Sequence, residues 1–237
     1  MSRTPTQRVA AREGFAVAGA VSVYGVSFGA VSVAAGLDVW QTCALSLLMF
    51  TGGSQFAFVG VLAGGGTLVS AAVTATLLGL RNTLYGLRLA SLLGFRGSRR
   101  VAAAHLVIDE STAMAIGRPD RAAARTGFLV TGATIFVGWN AFTLLGAVGG
   151  TMIGDPRAYG LDAAVGAAFL ALVWPRLHGT VHRLTALGAA AVALGLVPLT
   201  APGVPVLAAS LVAVALALTV RDVASEPAGD EPVGELP

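Results

Sequence analysis

Apolar residues occupy long blocks of this chain, punctuated by Arg, Pro and Gly. The blocks fall at about 14–36, 39–64, 67–95, 101–117, 126–153, 161–175, 184–201 and 203–220. A helix needs roughly 20 apolar residues to cross about 30 Å of hydrocarbon, and several blocks reach that length. The pattern predicts an all-α fold, a polytopic transmembrane helical bundle of about seven membrane segments, some of them broken or re-entrant. A basic cytoplasmic N-terminus over 1–13, a membrane domain over 14–220 and a disordered, acidic, Pro-rich tail over 221–237 complete the predicted organisation.

Basic residues sit at the ends of the blocks and set the expected topology. The N-terminal cluster Arg3, Arg8 and Arg12, then Arg96/Arg99/Arg100 and Arg118/Arg121/Arg125, should all face the cytoplasm. From Arg125 onward four crossings return the C-terminus to that side, with Arg176, His178, His182 and Arg183 inside. Between Arg12 and Arg96, however, three long blocks would place Arg96 outside. Either one block is a broken or re-entrant hairpin, or the positive-inside rule fails here. Two of the three carry breakers at mid-depth: Gly52-Gly53-Ser54-Gln55, and Gly79 beside Arg81-Asn82. Block 101–117 is short, has Asp109-Glu110 at its middle and Arg on both flanks, so it reads as interfacial or re-entrant. The first block exceeds the 7–15 residues of a signal-peptide core, which predicts a retained helix.

Composition sharpens this picture. Charged residues make up 11% of the chain and hydrophobic ones 55%, against about 25% charged in soluble domains. A soluble fold of this composition would expose large apolar surface. The isoelectric point of 9.7 reflects Arg at block ends and does not call for nucleic acid. The lone Cys43 excludes an internal disulfide and a multi-Cys metal site, and no cofactor is expected.

Charge and polar groups inside the blocks are the candidate chemistry. A central Arg costs at least about 2.5 kcal/mol to insert, so Arg81 needs a carboxylate, a wet cavity or a ligand. Arg81, Tyr85 and Arg88 share one face of a continuous helix, and Asn82 adds an amide beside them. Asp109 and Glu110 are the matching acids: one is placed to balance Arg81, the other to titrate in a proton relay. The alternative puts both acids in solvent near the interface. A break at Gly52-Gly53-Ser54-Gln55 would give a half-helix with free N–H groups and a positive dipole end, suited to a substrate carboxylate. Trp139-Asn140 reads as cross-helix packing, and Gly36-Leu37-Asp38 and Gly160-Leu161-Asp162 form a weak internal echo.

At these residues the chain resembles the AzlC family, the large subunit of bacterial branched-chain amino-acid exporters. Met49-Phe50-Thr51-Gly52-Gly53-Ser54-Gln55-Phe56-Ala57 is similar to that family's Phe-Ala-Gly-Ala-Ser-Gln-Phe-Ala element. Leu80-Arg81-Asn82-Thr83-Leu84-Tyr85-Gly86 resembles its Asn-Leu-Arg-His-Leu-Leu-Tyr-Gly element, and Asp109-Glu110-Ser111 matches its Asp-Glu-Ser. Phe28-Gly29 with Gly36-Leu37, and Gly160-Leu161-Asp162, fit two further stretches. Gly79 stands where the family usually has Asn, Asn82 where it has His, and Val23-Tyr24-Gly25 where it has Pro-Phe-Gly.

The resemblance implies a multi-pass protein of the bacterial cytoplasmic membrane that exports branched-chain or related small amino acids. It also implies a small AzlD-like membrane subunit as partner, and coupling to an ion or proton gradient is compatible with it. Gly52, Gly53, Ser54, Gln55, Arg81, Asn82 and Tyr85 are the expected substrate-binding residues, with Asp109 and Glu110 in coupling. Two other classes fit the composition: a passive small-solute channel, and an intramembrane protease using Ser54 and His105, although no Gly-x-Ser-x-Gly element is present.

Overall fold

The computed structural model describes residues 4–152, 170, 174, 177–200 and 204–224. The described residues are helical throughout and separate into two units, Met1–Trp174 and Pro175–Pro237. In the first unit, α1 (Pro5–Ser22) and α2 (Tyr24–Ala34) form one long apolar rod with a slight irregularity at Val23. The rod begins well before residue 14, because Thr4 and Gln7 form a capping box and Pro5 supplies a pre-set first helical residue. The other long apolar helix is α8 (Arg121–Met152); at 32 residues it is about 48 Å long. These two are long and apolar enough to cross a membrane.

The α1–α2 rod and α8 lie side by side and run in the same direction. Thr6 Oγ1 donates to Asp120 Oδ2 at 3.2 Å at one end, and Gly150 packs on Ala30 near the other. Between them Gly14 abuts Thr131, Gly138 abuts Ser22, and Gly29 abuts Thr143 and Ala147. Small residues let the backbones approach, which is how apolar helices associate when lipid removes the hydrophobic drive. Asp120 also accepts from Ala123 N at 2.8 Å, and that bond holds its carboxyl below the ordinary Asp range. The end carrying Arg8, Arg12, Arg121 and Arg125 is called the basic end below.

The helix α5 (Leu68–Leu93) runs the opposite way. Arg121 Nη2 donates to Ser91 O at 3.4 Å, and Arg125 donates to Leu93 O at 2.6 Å and Gly94 O at 3.3 Å, so α5 finishes at the basic end. Gly94 turns the chain there with φ +62°, a left-handed cap that a side chain resists. Contrary to the expectation of a breaker at Gly79, α5 is continuous through Gly79, Arg81 and Asn82. A glycine alone lowers helix propensity without removing a hydrogen bond, and Arg81 is held by partners rather than by a break.

The remaining two blocks are hairpins. Block 39–64 divides into α3 (Val39–Leu48) and α4 (Gly53–Ala63). Asp38 and Gln41 box the start of α3, which follows directly on α2 at the end away from the basic cluster. Going inward, Ser46 Oγ meets Thr143 Oγ1 at 3.4 Å and the Phe50 ring meets Phe136 at 5.1 Å. The chain then reverses: Phe56 packs on Phe28 and Trp139 at 5.5 and 6.3 Å, and α4 runs back alongside α5, Ser54 at Gly79 and Val61 at Gly66. Block 101–117 is likewise two short helices, α6 (Ser98–His105) and α7 (Asp109–Ala115), not one segment with its acids at the middle. It rises from the basic end to His105, 5.4 Å from Phe136, turns beside Gly132, and descends with Met114 against Gly127. Arg118 then pairs with Glu13 at 2.6 Å, back at the basic end. Two helical hairpins therefore enter from opposite ends and meet near Phe136.

This geometry answers the parity conflict. With α3–α4 entering and leaving by the same end, the Arg96 cluster shares an end with Arg12 without breaking the positive-inside pattern.

In the second unit, α9 (Thr180–Leu196) and α10 (Val204–Ala224) pack on each other, with Gly188 against Val212. Helix α10 continues past Arg221, where the tail was expected to begin. Block 161–175 lies largely, and Gly160-Leu161-Asp162 wholly, outside the described residues, so the count of about seven segments is not established.

Candidate functional site

The tip of the α3–α4 hairpin is built by one glycine and one amide. Gly52 takes φ +60° and ψ −90°, a region closed to side chains, and lets the chain reverse between the half-helices. Gln55 is fully buried. Its Oε1 accepts from Gly52 N at 3.1 Å, while its Nε2 donates to Leu45 O and Ser46 O at 3.4 Å each. Both halves of the amide thus serve the broken backbone, whose open N–H and C=O groups need partners where the helix is interrupted. Ser111 plays the same part in the opposing tip. Its hydroxyl accepts from Ile108 N at 3.1 Å and donates to Leu106 O at 2.6 Å.

Arg81 sits where the two tips approach. Its Nη1 lies 3.2 Å from Asp109 Oδ2, in the first turn of α7. Its Nη2 is 3.1 Å from where a Cβ on Gly53 would stand, so the guanidinium covers the start of α4. At that start the N–H groups of Gly53 and Ser54 have no acceptor within the helix, and the dipole is positive. The Gly at 53 leaves room for Arg81 to approach. The pair is partly open, with side-chain exposures of 29% for Arg81 and 19% for Asp109. Around it, Ser54 Oγ, Arg81 Nε and Asn82 Oδ1 are buried without a hydrogen-bond partner. Buried polar groups are ordinarily paired, so these atoms call for a partner such as water or a ligand.

The expected site residues are distributed as follows. Gly53, Ser54, Arg81 and Asp109 come together, with Gly52 and Gln55 forming the frame behind them. Asn82 lies one residue round α5 and faces a neighbouring cavity of about 660 Å³. Half-buried Tyr85 packs against the apolar cluster of Leu89, Leu93 and Phe128. Glu110 is half-buried in the first turn of α7, and Arg88 is exposed on α5. Asn140 does not reach across helices; its amide donates to Phe136 O of its own helix at 2.7 Å. Ser54 and His105 are not hydrogen-bonded, since Ser54 Oγ is without a partner and His105 Nε2 meets Leu47 O at 2.9 Å.

Sequence reasoning gave His105 no role beyond a nucleophile's base, and Ser111 only a place in a motif. The signal for Ser111 was its position three residues after a helix start, where a hydroxyl reaches back to the cap. For His105 no local pattern announces a partner 58 residues away.

Two comparisons bear on this arrangement. The family described as AzlC protein matches residues 16–153, which hold both hairpins, α5 and all of α8. A protein of Archaeoglobus fulgidus, named only as an uncharacterized membrane protein, is 30% identical over 186 residues, 78% of this chain and 82% of its own. No solved structure matches.

Proposed function

The chain belongs to the AzlC protein family, and from that premise we propose that it is a membrane transporter exporting branched-chain or related small apolar amino acids. The observation that carries this reading is Arg81 held between the open start of α4 and Asp109, with unpaired polar atoms around it. A zwitterion complements that set. Its carboxylate takes Arg81 and the Gly53 and Ser54 N–H groups, and its ammonium takes Asp109 and the Asn82 carbonyl oxygen. Discontinuous helices with these terminal groups are where secondary transporters bind substrate. Charged groups compete within the site, so arrival of a carboxylate weakens the Arg81–Asp109 pair and frees Asp109 for the ammonium or a proton. That exchange gives a route for proton coupling through Asp109, with Glu110 adjacent.

The same reading places the basic end and both termini in the cytoplasm of a prokaryotic cell, in its cytoplasmic membrane. A small AzlD-like subunit is the proposed partner. The test is efflux of preloaded labelled leucine, isoleucine, valine and methionine from cells expressing the chain alone and with a candidate small subunit. Faster efflux of a branched-chain substrate, lost in Arg81→Ala, supports exporter and site together. Export that persists unchanged in Arg81→Ala refutes the site, flux indifferent to the gradient favours a passive channel, and no efflux under either condition refutes this cargo.

A further inference from the structure

The cavity of about 660 Å³ beside Asn82 is a groove between α5 and α6. Asn82, Gly86, Leu89 and Leu93 recur every three or four residues and line it from one face of α5. Arg100, Ala103 and Ala104 line it from α6, and the fully buried Phe128 of α8 is its floor. The groove is open along its side. Leu48 and Leu87 line it with 79% and 67% of their surface exposed, and Thr83 and Ala104 are exposed with them. Around a membrane helix an exposed leucine meets acyl chains, which are as apolar as itself.

Size narrows the choice of occupant. From Asn82 to Leu93 helix α5 rises about 16 Å, so the 660 Å³ spreads to a mean cross-section of about 40 Å². A helix with its side chains is about 10 Å across or more and needs about twice that section. An extended hydrocarbon chain is thinner and asks nothing of the walls but apolar contact. Charge narrows the choice further. Exposed Arg100 lines the groove together with Phe95, whose ring lies 5.1 Å from the Arg125 guanidinium. Arg96 and Arg99, close by in sequence, are exposed as well. Acids of the basic end are engaged elsewhere: Glu13 pairs with Arg118, and Asp120 accepts from Thr6 and Ala123. Among the described residues no carboxylate pairs with Arg96, Arg99 or Arg100.

We propose that the groove is a lipid site: it takes an acyl chain of an anionic phospholipid whose phosphate meets Arg100, with Arg96 and Arg99 adding to the positive field. The inference rests on the membrane placement proposed above and is independent of cargo. A basic cleft between membrane helices suits an anionic headgroup, and each Arg near the membrane surface contributes roughly five-fold to the attraction. Phosphatidylcholine, with no net charge on its headgroup, offers the same chain without that gain. The apolar walls hold the chain, and the arginines select the headgroup.

The experiment reconstitutes the full chain in phosphatidylcholine vesicles with a trace of phosphatidylglycerol or phosphatidylcholine carrying a photoactivatable diazirine in its acyl chain. Cross-linked peptides are mapped, at matched amounts of folded, monodisperse protein. In the parent, the phosphatidylglycerol probe should mark 82–93 and 100–107 at least about ten-fold more than the phosphatidylcholine probe. Arg100→Gln should reduce that preference about five-fold, whereas Arg8→Gln, at an exposed arginine of α1, should leave it unchanged. Gly86→Leu extends a side chain where a Cβ meets no atom within 4 Å, and should cut marking by both probes about five-fold or more. Ala104→Phe, at an exposed position of the opposite wall, should do the same and serves if Gly86→Leu fails to fold. Equal marking by the two probes in the parent overturns the proposal, and so does an equal loss in Arg8→Gln and Arg100→Gln, which would indicate a diffuse basic surface. Marking confined to other segments, as when a second copy or another protein covers the groove, overturns it too, as does full marking in the folded groove-filling variants. Efflux enters none of these readouts, so the lipid site and the exporter reading fail separately.

Discussion

The Arg81–Asp109 pair can be separated into what it does for the fold and what it does for a ligand. Two unit charges 3.2 Å apart attract by about 5 kcal/mol at an effective dielectric of about 20. Desolvation offsets part of that, and side-chain exposures of 29% and 19% admit further screening. Removing one partner leaves the other charge stranded, at a cost of about 2–3 kcal/mol once this discount is made. In a chain of this size that lowers a thermal midpoint by roughly 4–12 °C. Arg81→Met and Asp109→Leu should each show it in detergent-purified protein. The double variant, which removes both charges and fills their space, should recover to within about 1 kcal/mol of the parent. Transport should stay absent in the double variant, because a carboxylate then has no Arg81 to meet. Additive midpoints, with no coupling above about 0.5 kcal/mol, would refute the ion pair as an energetic unit. A stable double variant that still transports would show the pair to be structural, and the proposed site would fall.

Two further outcomes follow from the same geometry. Gln55→Ala strands the Gly52 N–H and the Ser46 carbonyl while opening a void, and should cost about 2–4 kcal/mol in thermal denaturation; a loss under about 0.5 kcal/mol would mean the break is held by something else. Gly146→Ala drives a methyl group into the Val26 carbonyl of the α1–α2 rod and should cost about 2–4 kcal/mol, whereas Gly149→Ala, with open space at its Cβ, should lie within about 0.5 kcal/mol of the parent. Equal midpoints for these two variants would show that the rod and α8 are not in close contact.

The broken helix at Gly52 was legible because two glycines, a serine and a glutamine interrupt an apolar run at mid-depth, where lipid tolerates no open backbone. The conflict over Arg96 was legible for a similar reason: charge counts sides, and three crossings gave the wrong side. Gly79 misled because a glycine marks a possible bend without requiring one, and the neighbouring Arg81 is stabilised by Asp109 at the start of α7. The acids misled in position: Asp109 and Glu110 start α7, where acidic residues suit the helix dipole, so they mark the beginning of a helix rather than the middle of a segment. The meeting of the hairpins was beyond reach. It depends on Phe50, Phe136 and His105 converging from three elements, and nothing local to any of them records the other two.

Arg81 belongs to neither hairpin, and this has mechanical weight. It stands on α5, a continuous helix of 26 residues anchored at the basic end by Arg121 and Arg125. Its guanidinium touches the start of α4 on one side and Asp109 of α7 on the other. A charge fixed on a rigid post can hold one hairpin while the other moves, provided that something replaces the contact that is given up. A zwitterion offers both replacements, carboxylate for the Arg81 partner and ammonium for the Asp109 partner. A ligand with only one charged group satisfies one hairpin and leaves the other unpaired. On this reading, discrimination against simple carboxylates and simple amines arises from the geometry of the two charges, before any pocket measures the side chain.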